Sequence, residues 1–286
     1  MKPPAPFDTI KSCLHYLSQQ LQDQSTPTLE AEILIAHALA VPRSYLYSHP
    51  EYVLKENERN LLHNLLNRRL MGEPIAYILG EKEFWSLPLM VNQHTLIPRP
   101  ETELLVELTL AKLPKQASIK VADLGTGSGA IALALAQARP HWQIVATDQS
   151  LAALQVAQAN AQRLHLSNVR FNQGDWCSAL GADRFAAIVS NPPYIPRDDP
   201  HLDKGDLRFE PKTALAAGED GLAAFRKIIP QAKHHLTSAG WLLLEHGFDQ
   251  GSAVRDLMQQ AGYQKIQTHE DLTHIGRVTI GCTLSS

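Results

Sequence analysis

Two patterns of apolar residues divide the chain. Up to about residue 75 they recur at three- and four-residue steps: Leu29, Ile33, Ala36 and Ala40, then Leu62, Leu65, Leu66 and Leu70. That spacing lines up one face of a helix. Thr26-Pro27 reads as a helix start, a capping side chain followed by Pro at the first helical position, and Gly72 and Pro74 read as a stop. Residues 1–75 are therefore expected to form a small helical domain. The stretch 76–100 is aromatic and punctuated by proline, which predicts a hairpin or extended linker.

From about residue 117 the pattern alternates. IKVADLG (119–125), QIVATD (143–148), VRFNQGD (169–175), FAAIVSNPPY (185–194) and WLLLEHG (241–247) are apolar strand candidates. Helical stretches separate most of them, at Ala130–Ala138, Leu151–Leu164 and Leu222–Leu236. Strand and helix in alternation predict an α/β domain over 101–286 with a doubly wound, mostly parallel sheet covered on both faces. The last two apolar segments, QKIQTHED and RVTIGCTL, lie too close for a full helix between them and suggest a final antiparallel hairpin. The polar stretch from Ile195 to Gly218 is rich in Pro, Asp and Lys, and a loop of that length inside a compact domain is expected to be a substrate-facing lid.

Composition removes several function classes. With 26 basic and 29 acidic residues the formal net charge is −3, so a nonspecific grip on DNA or RNA is disfavoured and no direct nucleic-acid binding is expected. The three cysteines, Cys13, Cys177 and Cys282, are far apart and form no CxxC pair, and the histidines show no HExxH spacing. Neither a disulfide framework nor a metal site is expected, and a cytoplasmic setting follows. The N-terminus lacks an apolar core of signal-peptide length, and no apolar run approaches bilayer-spanning length, so no membrane association is expected.

The strongest chemistry begins at Asp123-Leu124-Gly125-Thr126-Gly127-Ser128-Gly129, at the end of one strand and the start of a helix. Glycines there let the backbone turn sharply and approach a ligand without a Cβ in the way. A tight strand–helix turn alone would also use them. Ala130-Ile131 follows Gly129 where a phosphate-cradling loop needs a Lys-Ser/Thr pair, so the pattern does not match such a loop. Asp148 ends the next strand, where an acid can accept hydrogen bonds from both hydroxyls of a ribose; a helix N-cap is the other use for an Asp at that place. Asp175 ends the third strand and is placed to accept from an adenine amino group, with Trp176 either packed on the ring or part of the core.

Asn191-Pro192-Pro193-Tyr194 ends the fourth strand. Adjacent prolines stop the ladder and hold the backbone extended. An amide nitrogen is a poor nucleophile, because its lone pair is shared with the carbonyl, the same resonance that gives a peptide bond a barrier of about 18–20 kcal/mol. The Asn191 side-chain oxygen and the Pro192 carbonyl can each accept one N–H of a target NH₂, which orients the nitrogen and enriches it in electron density. Tyr194 offers a flat face for a planar group. Such a site would hold an exocyclic base amine or a glutamine carboxamide equally well.

With these residues in view, the chain resembles the release-factor glutamine methyltransferase family (HemK/PrmC type). The resemblance runs from about Ala31-Glu32-Ile33-Leu34 to Arg277. It includes Gly72-Glu73-Pro74-Ile75-Ala76-Tyr77, Glu83-Phe84-Trp85, Leu96-Ile97-Pro98-Arg99-Pro100-Glu101-Thr102-Glu103 and Arg208-Phe209-Glu210-Pro211. The stretch from Ile97 to Glu103 separates it from nucleic-acid methyltransferases that share only Asn-Pro-Pro-Tyr. The resemblance implies a seven-stranded class I methyltransferase sheet behind a helical domain that contacts the release factor. It implies S-adenosyl-L-methionine held by Gly125, Thr126, Gly127, Ser128, Gly129, Asp148, Asp175, Trp176 and Asn191, with Pro98–Glu101 next to it. It implies that the glutamine of the release factor's Gly-Gly-Gln motif is held by Asn191, Pro192, Pro193 and Tyr194, with Asn191, Pro192 and Tyr194 expected to carry the catalysis.

Overall fold

A computed structural model describes residues 8–284. The chain divides into two compact units, Met1–Gly80 and Glu81–Ser286.

The first unit is helical: α1 (Ile10–Gln20), α2 (Pro27–Leu39), α3 (Arg43–Ser48), α4 (Glu56–Leu70) and α5 (Ile75–Leu79). Its core is built from Ile10, Leu17, Leu34, Ile35, Leu62 and Leu66, all buried. The expected apolar stripe on α2 is met in part. Ala36 is buried as expected, but the rest of the core face is Ala31, Leu34, Ile35 and Ala38, whereas Ile33 is half-buried, Leu29 is exposed and Ala40 is the left-handed residue that ends the helix. The segment PTLEAEILIAHAL is apolar on nearly every side, so spacing alone does not select a face. On α4, Leu62, Leu65 and Leu66 are buried as expected, but Leu70 is exposed. Pro27 does open α2, although Thr26 makes no side-chain capping bond. The core also holds a buried ion pair, Arg69 on α4 with Glu30 on α2 at 2.7 Å. A charge taken out of water needs such a partner.

The second unit opens with a hairpin, β1 (Glu81–Phe84) and β2 (Leu87–Met90), followed by α6 (Glu103–Lys112). Then come β3 (Lys120–Leu124), α7 (Ala130–Ala138), β4 (Gln143–Asp148), α8 (Leu151–Arg163), β5 (Val169–Gln173) and β6 (Phe185–Ser190). The chain ends with α9 (Lys212–Leu215), α10 (Ala223–His235), β7 (Leu236–Glu245), α11 (Gly251–Gln260), β8 (Gln264–Glu270) and β9 (Gly276–Cys282). Of the region expected to be a hairpin or extended linker, residues 76–79 are helix and 81–90 form the hairpin.

The seven-stranded sheet has the order β5-β4-β3-β6-β7-β9-β8. The first five strands run parallel, β9 runs antiparallel to β7, and β8 pairs antiparallel with β9 as the expected terminal hairpin. Val121, Ile144, Ile188 and Leu242 are buried on the central strands, and α7 (AIALALAQA) is buried from Ala130 to Ala136. Both faces of the sheet are covered by apolar clusters, so its strands read as near-continuous apolar runs. The sequence turns outward in both directions from β3 and β6. That pair is the switch point, where a crevice opens beyond the strand ends.

Two elements differ from expectation. β7 begins at Leu236, five residues before the apolar run at Trp241, and α11 was not anticipated. The 195–218 stretch is folded rather than open. Pro200–Asp203 and Gly205–Phe209 are short 3₁₀ turns, and α9 follows. Its two ends are tied together: Ile195 N–H donates to Leu215 at 2.9 Å, and Arg197 N–H to Gly218 at 2.8 Å.

Candidate active site

Every glycine of the 125–129 loop has positive φ: Gly125 at 72°, Gly127 at 57° and Gly129 at 86°. Their surroundings differ. A Cβ on Gly129 would lie 3.0 Å from Leu133 and 3.2 Å from Ala157, so this glycine serves close helix packing. A Cβ on Gly127 would meet nothing within 4 Å, so its backbone faces open space. The loop is anchored below by Asp123, which is fully buried and accepts from the Thr126 hydroxyl at 2.6 Å and from Ala132 N–H at 3.2 Å. Burial pushes its carboxyl up to about 7, and its Oδ1 has no hydrogen-bond partner among the described residues.

Asp148, at the tip of β4, accepts from Gly127 N–H and from Ser150 N–H, each at 2.9 Å. Burial raises its pKa, while those backbone bonds oppose the rise. The cap of α8 is Ser150, whose hydroxyl accepts from Ala153 N–H, so Asp148 is not the helix cap. Each carboxylate oxygen carries a second lone-pair direction, which leaves Asp148 able to accept further hydrogen bonds.

These residues line a cleft of about 260 Å³. Gly125, Gly127, Asp148, Asp175 and Trp176 form one side, and Asn191 with Pro193 another. Residues 93–96 and the folded loop, through Pro211, Thr213 and Ala214, complete it. The Asp175 carboxylate is exposed and forms a long ion pair with Lys227 at 3.9 Å; a surface pair of that kind contributes little. Trp176 is wedged between the glycine turn and the apolar cluster on one face of the sheet.

Some expected site residues lie off the cleft wall, and their placement follows the backbone. Thr126 and Ser128 are buried and alternate with the open Gly125 and Gly127. In the extended Asn191–Tyr194 segment, Asn191 and Pro193 face the cleft while Pro192 and Tyr194 do not. Successive side chains of an extended chain point to opposite sides. Tyr194 instead packs against the cluster beneath, and burial pushes its phenol up to about 12. As a stacking face inside the cleft, Tyr194 is not where expected, whereas the Pro192 backbone carbonyl takes no hydrogen bond from any described residue.

Asn191 has a fixed orientation. Its Nδ2 donates to the hydroxyl oxygen of buried Thr102 at 3.1 Å, which turns the carboxamide oxygen away from that contact. The folded loop is held over the 97–99 segment by buried Glu210, which accepts from Ile97 N–H at 2.9 Å and pairs with the Arg99 guanidinium.

Two sequence patterns match: one described as the PrmC N-terminal domain over residues 12–80, and one as the methyltransferase small domain over 101–203. Relatives match over almost the full length. A release factor glutamine methyltransferase of Coxiella burnetii is 50% identical, covering 95% of this chain and 98% of the relative. One of Vibrio cholerae is 51% identical over 96% of each, and one of Escherichia coli K12 is 49% identical over 93% of this chain and 97% of its own. The chain belongs to the release factor glutamine methyltransferase family.

Solved structures agree on the fold. A Pyrococcus furiosus methyltransferase aligns with a TM-score of 0.53 at 18% identity, covering 77% of this chain and 98% of its own. The T. thermophilus 16S rRNA N2 G1207 methyltransferase, in complex with AdoMet and guanosine, aligns at 0.52 and 20% identity, covering 71% and 49%. At that identity they establish the class of fold alone.

Several residues of this methyltransferase site carry no signal of their own in the sequence. Asn160 of α8 is fully buried and ties the glycine loop to β2: its Nδ2 donates to Ser128 at 2.9 Å and Met90 at 3.0 Å, and its Oδ1 accepts from Met90 at 2.7 Å. Thr102 and Glu210 likewise bond to residues far away in the chain. Both fall in motifs that the family resemblance picked out, and that was the available clue.

Proposed function

We propose that the protein transfers a methyl group from S-adenosyl-L-methionine to the side-chain amide nitrogen of the glutamine in the Gly-Gly-Gln motif of peptide chain release factors, in support of translation termination. One observation carries this reading. Asn191 and Pro193 share a cleft with Gly125, Gly127 and Asp148, in a chain about half identical over nearly its whole length to relatives of that name.

The residues present fit the donor. The donor supplies a methyl group on a positively charged sulfur, next to a ribose and an adenine. Gly127 leaves room for it, Asp148 keeps acceptor capacity for the ribose hydroxyls, and exposed Asp175 can accept from the adenine amine. The acidic lining of Asp148 and Asp175 suits a cation. Asn191 Oδ1 and the Pro192 carbonyl then each accept one N–H of the glutamine NH₂. Both hydrogens are pinned, and the nitrogen lone pair is held toward the methyl carbon. Orientation of this kind lowers a barrier by up to roughly 7–11 kcal/mol in the best cases. As the N–C bond forms, the C–S electron pair stays with sulfur and one nitrogen hydrogen leaves as a proton to water.

The helical unit recognises the release factor in this reading, and a cytoplasmic setting goes with it. No helix among the described residues is long and apolar enough to cross a membrane. The test is mass spectrometry of a purified release factor after incubation with the protein and isotopically labelled donor, with DNA and ribosomal RNA as parallel acceptors. Label on one glutamine, lost when that glutamine is replaced, is the expected result. Transfer that persists after the replacement, or that goes to nucleic acid, would overturn the proposal.

A further inference from the structure

The parallel register of β6 and β7 sets Ser190 opposite Leu244, so the next residues, Asn191 and Glu245, come side by side at the mouth of the switch point. Glu245 is only 2% exposed, and its Oε2 has no hydrogen-bond partner among the described residues. Its carboxyl is pushed up to about 7, first by burial. Hydrogen bonding with the Thr102 and Asn191 side chains works in the other direction, and so does Arg277, while Glu101 adds to the rise. A buried carboxyl costs stability unless something is gained from it. The strand register sets it beside the Asn191 carboxamide, whose NH₂ end is already bonded to Thr102.

An ionised carboxylate can only accept hydrogen bonds, and a carboxamide has one accepting and one donating end. A 180° flip of Asn191 would set its oxygen against an acceptor and turn its NH₂ toward the cleft, where it would repel a target NH₂. We propose that Glu245 is a positioning residue for methyl transfer: with Thr102 it holds the Asn191 NH₂ group, so that the carboxamide oxygen is the atom presented to the acceptor nitrogen. This rests on Asn191 acting as an acceptor for the substrate amide. Protonation of Glu245 converts it to a donor and releases the lock. The charged or titratable groups facing it are Glu101 on the turn before α6, Arg277 on β9 and the Tyr194 phenol.

The test is a double-mutant cycle with Glu245→Gln and Asn191→Ala, reading turnover with release factor, donor affinity by calorimetry and thermal melting. Asn191→Ala should bind donor normally and lose turnover by about 10³-fold; near-normal turnover in that variant would sink the Asn191 reading itself. Glu245→Gln should lower kcat by about 10- to 100-fold with donor affinity unchanged. The double variant should be no slower than Asn191→Ala, because both changes remove one device. Glu245→Gln within threefold of wild type, or losses that multiply in the double variant, would overturn the proposal while leaving Asn191 in place. Should Glu245→Gln fail to fold, the wild-type pH profile decides. A kcat that falls below pH 7 while donor affinity holds supports the lock, and a flat kcat from pH 5.5 to 8.5 overturns it.

Discussion

Gly125 and Trp176 are fitted to one another: a Cβ on Gly125 would lie 3.2 Å from Cζ3 of the indole. The glycine also sits at a φ of 72°, which an L side chain adopts only with strain. The floor of the cleft is thus set by a contact as well as by a turn.

Gly125→Ala is therefore expected to lower stability by roughly 1–2 kcal/mol from backbone strain and to displace Trp176. Gly127→Ala carries similar strain, but its methyl enters open space, where the donor is proposed to lie. Calorimetry should show donor affinity falling further for Gly127→Ala than its melting temperature alone suggests. Equal and small effects on affinity in both variants would count against the cleft as the donor site.

Asp148→Ala should weaken donor binding by about 10- to 100-fold, in line with the ~1.5–3 kcal/mol typical of hydrogen bonds to a charged group. The release-factor KM should stay close to wild type, because Asp148 is proposed to hold the donor and not the acceptor. Isothermal titration beside steady-state kinetics separates the two. An altered acceptor KM with intact donor affinity would place the acceptor, and not the ribose, against Asp148.

Asn160→Ala leaves Ser128 and Met90 backbone groups without their partner inside the protein. Each buried group left unpaired costs about 1–3 kcal/mol. A stability loss of at least 2 kcal/mol in urea unfolding is expected, with weaker donor binding through the loosened glycine loop. Wild-type stability in this variant would show that the network contributes nothing net.

Asp123 gives a pH-dependent signature. Its carboxyl stands near 7 in the folded protein against an ordinary 3.8. Between those values the folded state binds more protons than the unfolded chain, so stability falls as pH rises through that window. Asp123→Asn removes the titration and keeps an oxygen for Thr126 and Ala132. The melting temperature of the variant relative to wild type should therefore climb from pH 5 to pH 8. Glu245, raised for the same reason, and His246, whose pKa is lowered by burial, titrate in both proteins and cancel in the difference. A pH-independent difference would show that Asp123 is not raised.

How much was legible in the sequence follows from the range of the forces involved. The central strands could be read because burial on both faces makes each a short apolar run, closed by Gly125, Asp148 or Asn191. The phase of α2 could not, since its residues are apolar on nearly every side. α11 escaped notice because GSAVRDLMQQ buries only Val254 and Met258. In the site, the glycine loop and Asn-Pro-Pro-Tyr were visible as local motifs. Which members line the cleft was decided by alternation along the backbone, which separates Gly125 and Gly127 from Thr126 and Ser128, and Asn191 and Pro193 from Pro192 and Tyr194. Glu245 and Asn160 depend on neighbours brought close by strand register and helix packing, and no local pattern announces them.

The pinched base of the 195–218 segment has an evolutionary corollary. Because Ile195 and Arg197 bond directly to Leu215 and Gly218, the residues between hang from a closed neck and, apart from the buried anchors Leu202 and Glu210, can lengthen, shorten or change composition without disturbing the strands on either side. Pro211, Thr213 and Ala214 carry that variation to the rim of the cleft. One wall is exchangeable while the opposite one, made of glycines and a carboxylate, stays put, and an enzyme built this way can acquire new acceptors at constant donor chemistry.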